Sequence, residues 1–253
     1  NAYGFDLNRD WFARTQPETD GKLELMRQYP PQLYIDAHEM GSKQFFFPPT
    51  ADPTYHEVPD ATQAWVNQIY SPAISAEFAR QKIPYFHGAP YDLYAVEYGD
   101  SVSTVGFHAA GMTFEKHNGA SIAQRSHEQY VAMWASLYAG ASDRQRLLNE
   151  WRQSHVLARD QGVLGSLEPN GIYYDAKRLY QPVADLTVRH YFFPSDPARD
   201  REIAQLVRRL QRMDVEVHRL KADLNVPDYR PYGGEARATV LPKGTYWVPM
   251  AQA

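Results

Sequence analysis

Three short stretches carry the residues whose types and order could do chemistry. They are YGFDLNRDWF at 3–12, LYIDAHEMG at 33–41 and GMTFEKH at 111–117. A mononuclear zinc hydrolase needs three protein ligands, commonly two nitrogens and a carboxylate, with an open position for water. His38 is a competent ligand of this kind, but no second ligand lies near it in the sequence. The sequence therefore indicates a hydrolytic site, but it shows only one of the three zinc ligands that such a site needs.

His38 follows a short apolar run of the buried-strand type, with Asp36 before it and Glu39 after it. Open α/β sheets place their ligand crevices at the carboxyl ends of strands, where His38 is expected. A packed structural histidine is the ordinary alternative. The pair His38-Glu39 is not the helical H-E-x-x-H zinc motif, because position 42 is Ser and the context is a strand.

Glu115 is the acid at the end of a second apolar strand, in the sequence MTFE. Burying a carboxylate costs free energy unless it is paired or hydrogen-bonded, so a buried acid often has a functional role. It could act as a general base on a metal-bound water. The alternative is an ion pair with Lys116 or with an arginine elsewhere.

Asn8 and Arg9 form the third feature. A guanidinium beside an amide can hold a carboxylate through two parallel hydrogen bonds, which a lysine cannot do. A surface salt bridge from Arg9 to Asp10 or Glu18 is the alternative.

In their order, these features resemble the zinc carboxypeptidase family, the carboxypeptidase A-like metallopeptidases. The resemblance consists of an Asn-Arg pair (LNRDW), a strand ending in a ligand histidine (IDAH) and a strand ending in a catalytic acid (MTFE). It implies one zinc ion and hydrolysis of C-terminal peptide bonds by metal-activated water. It assigns His38 to the zinc, Glu115 to activation of the water, and Asn8 and Arg9 to the substrate's terminal carboxylate.

Two further roles follow from the same resemblance. The family has a tyrosine that closes over the substrate, and it precedes the catalytic acid along the chain. Tyr94 is our choice for this role, with Tyr98 as the alternative. The segment YGDSV resembles the wall of the family's specificity pocket, and Val102 would make that wall apolar.

The family takes its first two zinc ligands from an H-x-x-E motif upstream of the Asn-Arg pair, and no H-x-x-E occurs in this chain. We infer that the chain is the later part of a longer precursor, or that another chain supplies the ligands, and that the chain alone is inactive. A zinc site rebuilt around His38 from other histidines is a further alternative, although we expect these to be loop residues: His56, His87, His108 and His117.

Two other functions stay open. One is an amidase that acts on cell-wall peptides or acyl-amino acids, because the same apparatus serves any small amide with a carboxylate. The other is a catalytically silent binding or structural module that lacks two zinc ligands. In the hydrolase interpretations the partner is a peptide or small amide with a free carboxylate.

Composition limits the other partners and the compartment. Lys plus Arg at 26 against Asp plus Glu at 30 gives a net charge of −4, which does not favour nucleic acid or an anionic membrane surface. No run approaches the roughly 18 apolar residues of a membrane span. The chain has no cysteine, which excludes disulfides and thiolate ligands but leaves the compartment open, with a periplasmic or secreted location as a guess.

The elements that must position these residues follow from apolar spacing and from prolines and glycines. In the first part we predict a strand-like run at 3–12, helices at 17–28, 61–81 (broken at Pro72) and 121–153 (interrupted near Gly140), a loop at 43–60, and strands at 33–38, 101–105 and 109–115. In the later part we predict a strand at 186–193, a helix to 212, a strand at 215–220 and two strands around a Pro-Lys-Gly turn.

The sequence therefore predicts an α/β fold: part of a mixed-sheet, carboxypeptidase-like domain flanked by helices, followed by a smaller α/β segment. We place the boundary near residue 160. The catalytic part is 1–160 and the accessory segment is 161–253.

Overall fold

The computed structural model describes residues 4–51, 58–90, 95–165 and 187–252, and it gives the backbone alone for 171–173 and 180–182. The chain divides into two compact units. The first comprises Asn1–Val156 and Glu168–Ala184, and the second comprises Leu157–Leu167 and Asp185–Ala253. The predicted α/β class is confirmed. The boundary predicted near residue 160 stays a prediction.

A four-stranded mixed sheet forms the centre of the first unit. Its strands are β1 (Leu33–Met40), β2 (Phe45–Phe46), β3 (Tyr85–Phe86) and β4 (Ala110–His117), in the order β1-β4-β2-β3. β1 is parallel to β4, β2 is antiparallel to β4, and β2 is parallel to β3. The strands predicted at 33–38 and 109–115 are therefore confirmed, each with two further residues at its carboxyl end.

In the described residues, six α-helices accompany this sheet. They are α1 (Pro17–Gln28), α2 (Asp60–Trp65), α3 (Ser71–Gln81), α4 (Gly99–Phe107), α5 (Ile122–Ser142) and α6 (Arg144–Leu164), the last of which continues into the second unit. A π-helical turn at Val66–Tyr70 joins α2 to α3, and Pro72 lies just after this turn, at the start of α3. The predicted helix at 121–153 is two helices that meet at Asp143.

The hydrophobic core lies on one face of β1 and β4. Side chains alternate between the two faces of a strand, so every second residue of these strands points to the core. The residues of β4 that do so are fully buried, and helices α2, α3 and α5 cover them. The core includes Ala110, Met112, Phe114, Trp65, Phe78 and Val131, with Leu33 and Ile35 packed against it. The other face of the same two strands is free to carry polar residues.

Two predicted strands of the first unit are wrong. Residues 101–105 lie in helix α4, although Val, Ser and Thr favour strands. The hydroxyls of Ser103 and Thr104 both donate to the carbonyl oxygen of Asp100, at 2.9 and 2.7 Å, which satisfies them within the helix. Over its described residues, 4–12, the predicted strand-like run is also not a strand. It contains a short 3-10 turn, Leu7–Arg9, in which the Asp6 side chain accepts a hydrogen bond from the backbone of Asn8.

In its described residues, the second unit holds a three-stranded antiparallel sheet, a separate strand pair, the end of helix α6 and one further helix. The sheet has the order β7-β11-β8, with β7 at His190–Phe193, β8 at His218–Arg219 and β11 at Tyr246–Pro249. Strand β9 (Leu224–Tyr229) pairs with β10 (Arg237–Leu241), and helix α7 spans Asp200–Arg212. Of the strand predicted at 215–220, only residues 218 and 219 form a strand, which is β8. The two strands around the Pro-Lys-Gly turn are present, but they join different sheets.

Strands β5 (Gly171–Tyr173) and β6 (Tyr180–Pro182) form a further antiparallel pair. Among the helices that the structure describes, none is both long and apolar enough to cross a bilayer.

Candidate functional site

The polar face of β1 and β4 brings together three of the predicted site residues, His38, Glu115 and Asn8. In the parallel register His38 lies opposite Glu115, and Asp36 lies opposite Thr113. Residues directly opposite in a parallel pair project to the same face of the sheet. The imidazole and the acid that the sequence singled out are therefore neighbours near the carboxyl ends of two adjacent strands.

Asn8 reaches this face from the 3-10 turn. Its Nδ2 lies 2.8 Å from Nε2 of His38. Its Oδ1 accepts hydrogen bonds from Nε1 of Trp11, at 2.9 Å, and from the backbone N–H of Gly99, at 3.3 Å. Trp11 is buried, and its ring meets Tyr34 edge to face. These contacts place the Asn8 amide directly on the imidazole.

Asp36 is the second polar neighbour of His38. Its Oδ1 lies 3.2 Å from Nε2 of His38. The hydrogen bond with Asp36 is the main reason that the pKa of His38 lies above its ordinary value. Burial opposes this rise, and the charges of Asp36, Glu115 and Asp100 add to it. The imidazole therefore lies in a negative environment.

Asp100, in the first turn of α4, adds a carboxylate to the polar side chains on this face of β1 and β4, which together we call the polar layer. Its Oδ2 accepts a hydrogen bond from the hydroxyl of Thr113, at 2.6 Å, and its Oδ1 accepts one from the backbone of Ser101, at 2.7 Å. Burial raises the pKa of Asp100 above the ordinary value of an aspartate. The pKa of Tyr34 is also raised, first by burial and then by the charges of Asp36 and Asp100.

Glu115 is buried at 7% exposure, and its neighbour Lys116 points to the opposite face of the sheet. Lys116 is buried there and forms an ion pair with Glu128 of α5. Because Lys116 has this other partner, the alternative in which it pairs with Glu115 is wrong. Glu115 thus lies beside His38, on the other face of the sheet from Lys116.

Arg9 makes its contacts elsewhere. Its Nη1 donates to the backbone oxygen of Asn8 at 2.9 Å and lies 3.6 Å from the carboxylate of Asp6. Its guanidinium lies 4.5 Å from the ring centre of Tyr98. The side chain is 48% exposed. The ion-pair partner is thus Asp6, and the role of Arg9 in holding a carboxylate stays a prediction.

The remaining predicted residues lie around α4. Tyr94 falls outside the described residues. Tyr98 immediately precedes α4 and lies beneath Arg9. Val102 is buried within α4. Its role as an apolar wall of a substrate pocket stays a prediction.

The donors of the described residues do not fit a complete zinc site. No group of three histidines, aspartates or glutamates lies close enough together to hold a metal, in so far as the chain is described. His38 and Asp36 offer two donors on one strand, which is fewer than the three protein ligands that zinc hydrolases use. Among the described histidines, none completes the set: His87 stacks on Tyr85, His108 stacks on His155, and His117 accepts a hydrogen bond from the backbone of Gly119. His56 lies outside the described residues.

Sequence reasoning gave no role to four further polar or aromatic residues around the imidazole and its partners: Asp36, Trp11, Asp100 and Thr113. Asp36 was detectable, because the period of two along LYIDAH places it on the same face as His38. Trp11, Asp100 and Thr113 gave no such signal, since each is brought to the site by tertiary packing.

Comparisons with known proteins give little further support. No protein-family model matches the chain, and no curated protein matches it. A solved structure, a metallo-carboxypeptidase from Burkholderia cenocepacia, is similar at 17% identity with a TM-score of 0.45. The likeness covers 56% of this chain, and the chain spans 40% of that protein's length. A likeness at this level does not establish a common fold or a common activity.

Proposed function

We propose that this chain carries the acid-base part of a hydrolytic site that cleaves C-terminal peptide bonds in the intact protein. The observation that supports this most is the pairing of His38 with Glu115 across two parallel strands. Asn8, from a distant part of the chain, lies against the same imidazole. The order and the residue types match the resemblance to zinc carboxypeptidases, which adds zinc as the implied cofactor and His38 as one of its ligands.

Glu115 is the proposed general base. Its carboxylate would accept a proton from the attacking water and return that proton to the leaving nitrogen of the amide. Its burial, at 7% exposure, keeps bulk water from competing for the proton. Asn8 and Arg9 are the proposed contacts for the free carboxylate of the substrate, and Tyr94 and Val102 stay the proposed substrate-closing and pocket-lining residues.

The described residues do not supply a three-ligand metal site, so the proposal applies to the intact protein. The same observation favours a second candidate, a catalytically silent module that keeps the polar corner and binds a carboxylate. Within the hydrolases, an amidase for cell-wall peptides or acyl-amino acids would use the same residues.

The test is hydrolysis by the protein expressed from its whole reading frame. The substrate is an N-blocked dipeptide with a free C-terminal carboxylate, and zinc content is measured on the same samples. We expect turnover in the wild type and a fall in kcat of about 10²- to 10⁴-fold in Glu115→Gln, with zinc content unchanged.

Glu39→Gln is the matched control. It removes a carboxylate from the same strand pair, but Glu39 points to the opposite face and pairs with Arg125. We expect this variant to keep wild-type turnover. An active Glu115→Gln protein would exclude Glu115 as the base, and a wild-type protein without turnover on either peptide or acyl-amino-acid substrates would favour the silent module.

A further inference from the structure

The Nε2 atom of His38 faces two partners that require opposite protonation of the ring. Nδ2 of Asn8 lies 2.8 Å from it, and Oδ1 of Asp36 lies 3.2 Å from it. An amide NH2 is a donor and needs a bare nitrogen, whereas a carboxylate is an acceptor and needs an N–H. A neutral imidazole carries its single proton on one nitrogen only, so one partner must dominate.

The orientation of the Asn8 amide is fixed by its other contacts. Two N–H groups, from the Trp11 indole and the Gly99 backbone, donate to its Oδ1. The oxygen therefore cannot turn towards His38 without losing both hydrogen bonds. Asn8 thus favours the tautomer with the proton on Nδ1.

Asp36 favours the other tautomer, with the proton on Nε2. Its side chain is 19% exposed, and within the described part of the chain its Oδ2 makes no hydrogen bond. Thr113, opposite Asp36 in the register, donates to Asp100 instead. Within the described residues, the polar contact of the Asp36 carboxylate is therefore with the imidazole. A hydrogen bond to a charged group is roughly twice as strong as one between neutral groups.

We propose that Asp36 is a positioning residue that places the ring proton of His38 on Nε2 and leaves the lone pair on Nδ1. Within the described ranges Nδ1 makes no hydrogen bond, so no described residue engages its lone pair. A histidine that binds a ligand through one nitrogen commonly donates the other N–H to a carboxylate. The inference rests on the proposed function, in which His38 acts through one ring nitrogen.

The test is the tautomer of His38, read from long-range ¹H–¹⁵N correlation spectra of the whole 253-residue chain. Spectra are recorded at a pH at which the ring is neutral, and His38 is assigned by its loss in His38→Gln. We expect the wild type to carry the proton on Nε2. In Asp36→Ala only the Asn8 amide remains at Nε2, and we expect the proton to move largely to Nδ1.

Three further variants sharpen the test. Asp36→Asn keeps the shape of the side chain, gives a mixture of the two tautomers, and decides the question if Asp36→Ala does not fold. Asn8→Ala removes the competing donor and should retain the Nε2 proton. Glu39→Gln removes a carboxylate next to His38 on the other face and should leave the tautomer unchanged.

A wild-type proton on Nδ1, or an Asp36→Ala tautomer equal to the wild type, would overturn the assignment. A role of Asp36 in packing alone would change the unfolding temperature and leave the tautomer in place. Because the spectra need no turnover, the two proposals fail separately: inactivity of the intact protein contradicts the hydrolase, and a wrong tautomer contradicts the role of Asp36.

Discussion

At the scale of single residues, the imidazole of His38 is the centre of the site. Its neighbours are a buried glutamate in register, an aspartate two residues earlier on the same strand and an asparagine from a distant turn. The sequence predicted His38, Glu115 and Asn8 as members of one site. It did not predict that Asn8 would contact the imidazole itself, because this depends on the two donors that orient the amide.

Arg9 gives a prediction at the same scale. If its guanidinium holds the substrate's carboxylate through two hydrogen bonds, Arg9→Lys raises KM for free-carboxylate peptides roughly tenfold, since a charged hydrogen bond contributes about 1.5–3 kcal/mol. The measurement is steady-state kinetics of the intact protein, with C-terminally amidated peptides as the control. Unchanged KM values for the free-carboxylate peptides would leave Arg9 with only its contacts to Asp6 and Tyr98.

At the scale of elements, helix α4 packs closely against strand β4 and so covers the polar layer. A Cβ added at Gly111 of β4 would lie 2.1 Å from the carbonyl oxygen of Asp100 and 2.4 Å from Oγ1 of Thr104. The backbone N–H of Gly111 donates to that hydroxyl, at 3.1 Å. The helix can pack this closely only because position 111 has no side chain.

Gly111→Ala should therefore lower the free energy of unfolding by about 1–3 kcal/mol, because α4 must move away from the sheet. The measurement is denaturant unfolding of the chain. The matched control is Gly21→Ala in α1, where a Cβ would meet nothing within 4 Å and the better helix former should stabilise by up to about 1 kcal/mol. Equal stability of Gly111→Ala and the wild type would contradict this packing.

His108 directly follows the last residue of α4 and contacts α6. The ring of His108 stacks on His155 at 4.1 Å, and its Nδ1 lies 2.8 Å from the hydroxyl of Ser154. Burial, with His155 adding to it, lowers the pKa of His108 to about 4, from an ordinary value of 6.5. Burial also lowers the pKa of His155. The contact between α4 and α6 therefore favours the neutral forms of His108 and His155.

Because the folded pKa of His108 lies below the unfolded one, the unfolded chain binds the proton first as the pH falls. Neutral His108 therefore contributes about 3 kcal/mol to the free energy of unfolding. This contribution is fully present above about pH 6.5 and is lost progressively as the pH falls towards 4. Unfolding free energies measured across this range should fall less steeply in His108→Asn, a residue that tolerates the left-handed backbone at φ 54°. An equally steep fall in this variant would remove His108 as the cause.

The sequence predicted the elements with strong local signals and missed those set by packing. Pro17 and its acidic first turn determine α1, and the apolar spacing determines α2 and α3. Residues 101–105 look like a strand by composition, yet they form α4 because their hydroxyls bond within the helix and the segment packs on Gly111.

At the scale of the whole molecule, an α/β class was predictable from alternating strands and helices, and the structure confirms it. The assignment of tail strands to two different sheets was not predictable, since strand pairing depends on contacts distant in sequence. The same holds for the site: the sequence shows that no H-x-x-E is present, and the structure shows that the described residues hold no substitute group of three donors.

The most direct test of the account is the affinity and stoichiometry of zinc for the chain of residues 1–253, measured by equilibrium dialysis with metal analysis, beside His38→Ala. The account holds that these residues carry the acid and one imidazole of the site without a full ligand set. It predicts weak binding, well below one zinc per chain at micromolar zinc, and little change in His38→Ala. One tightly bound zinc per wild-type chain, lost in His38→Ala, would contradict it.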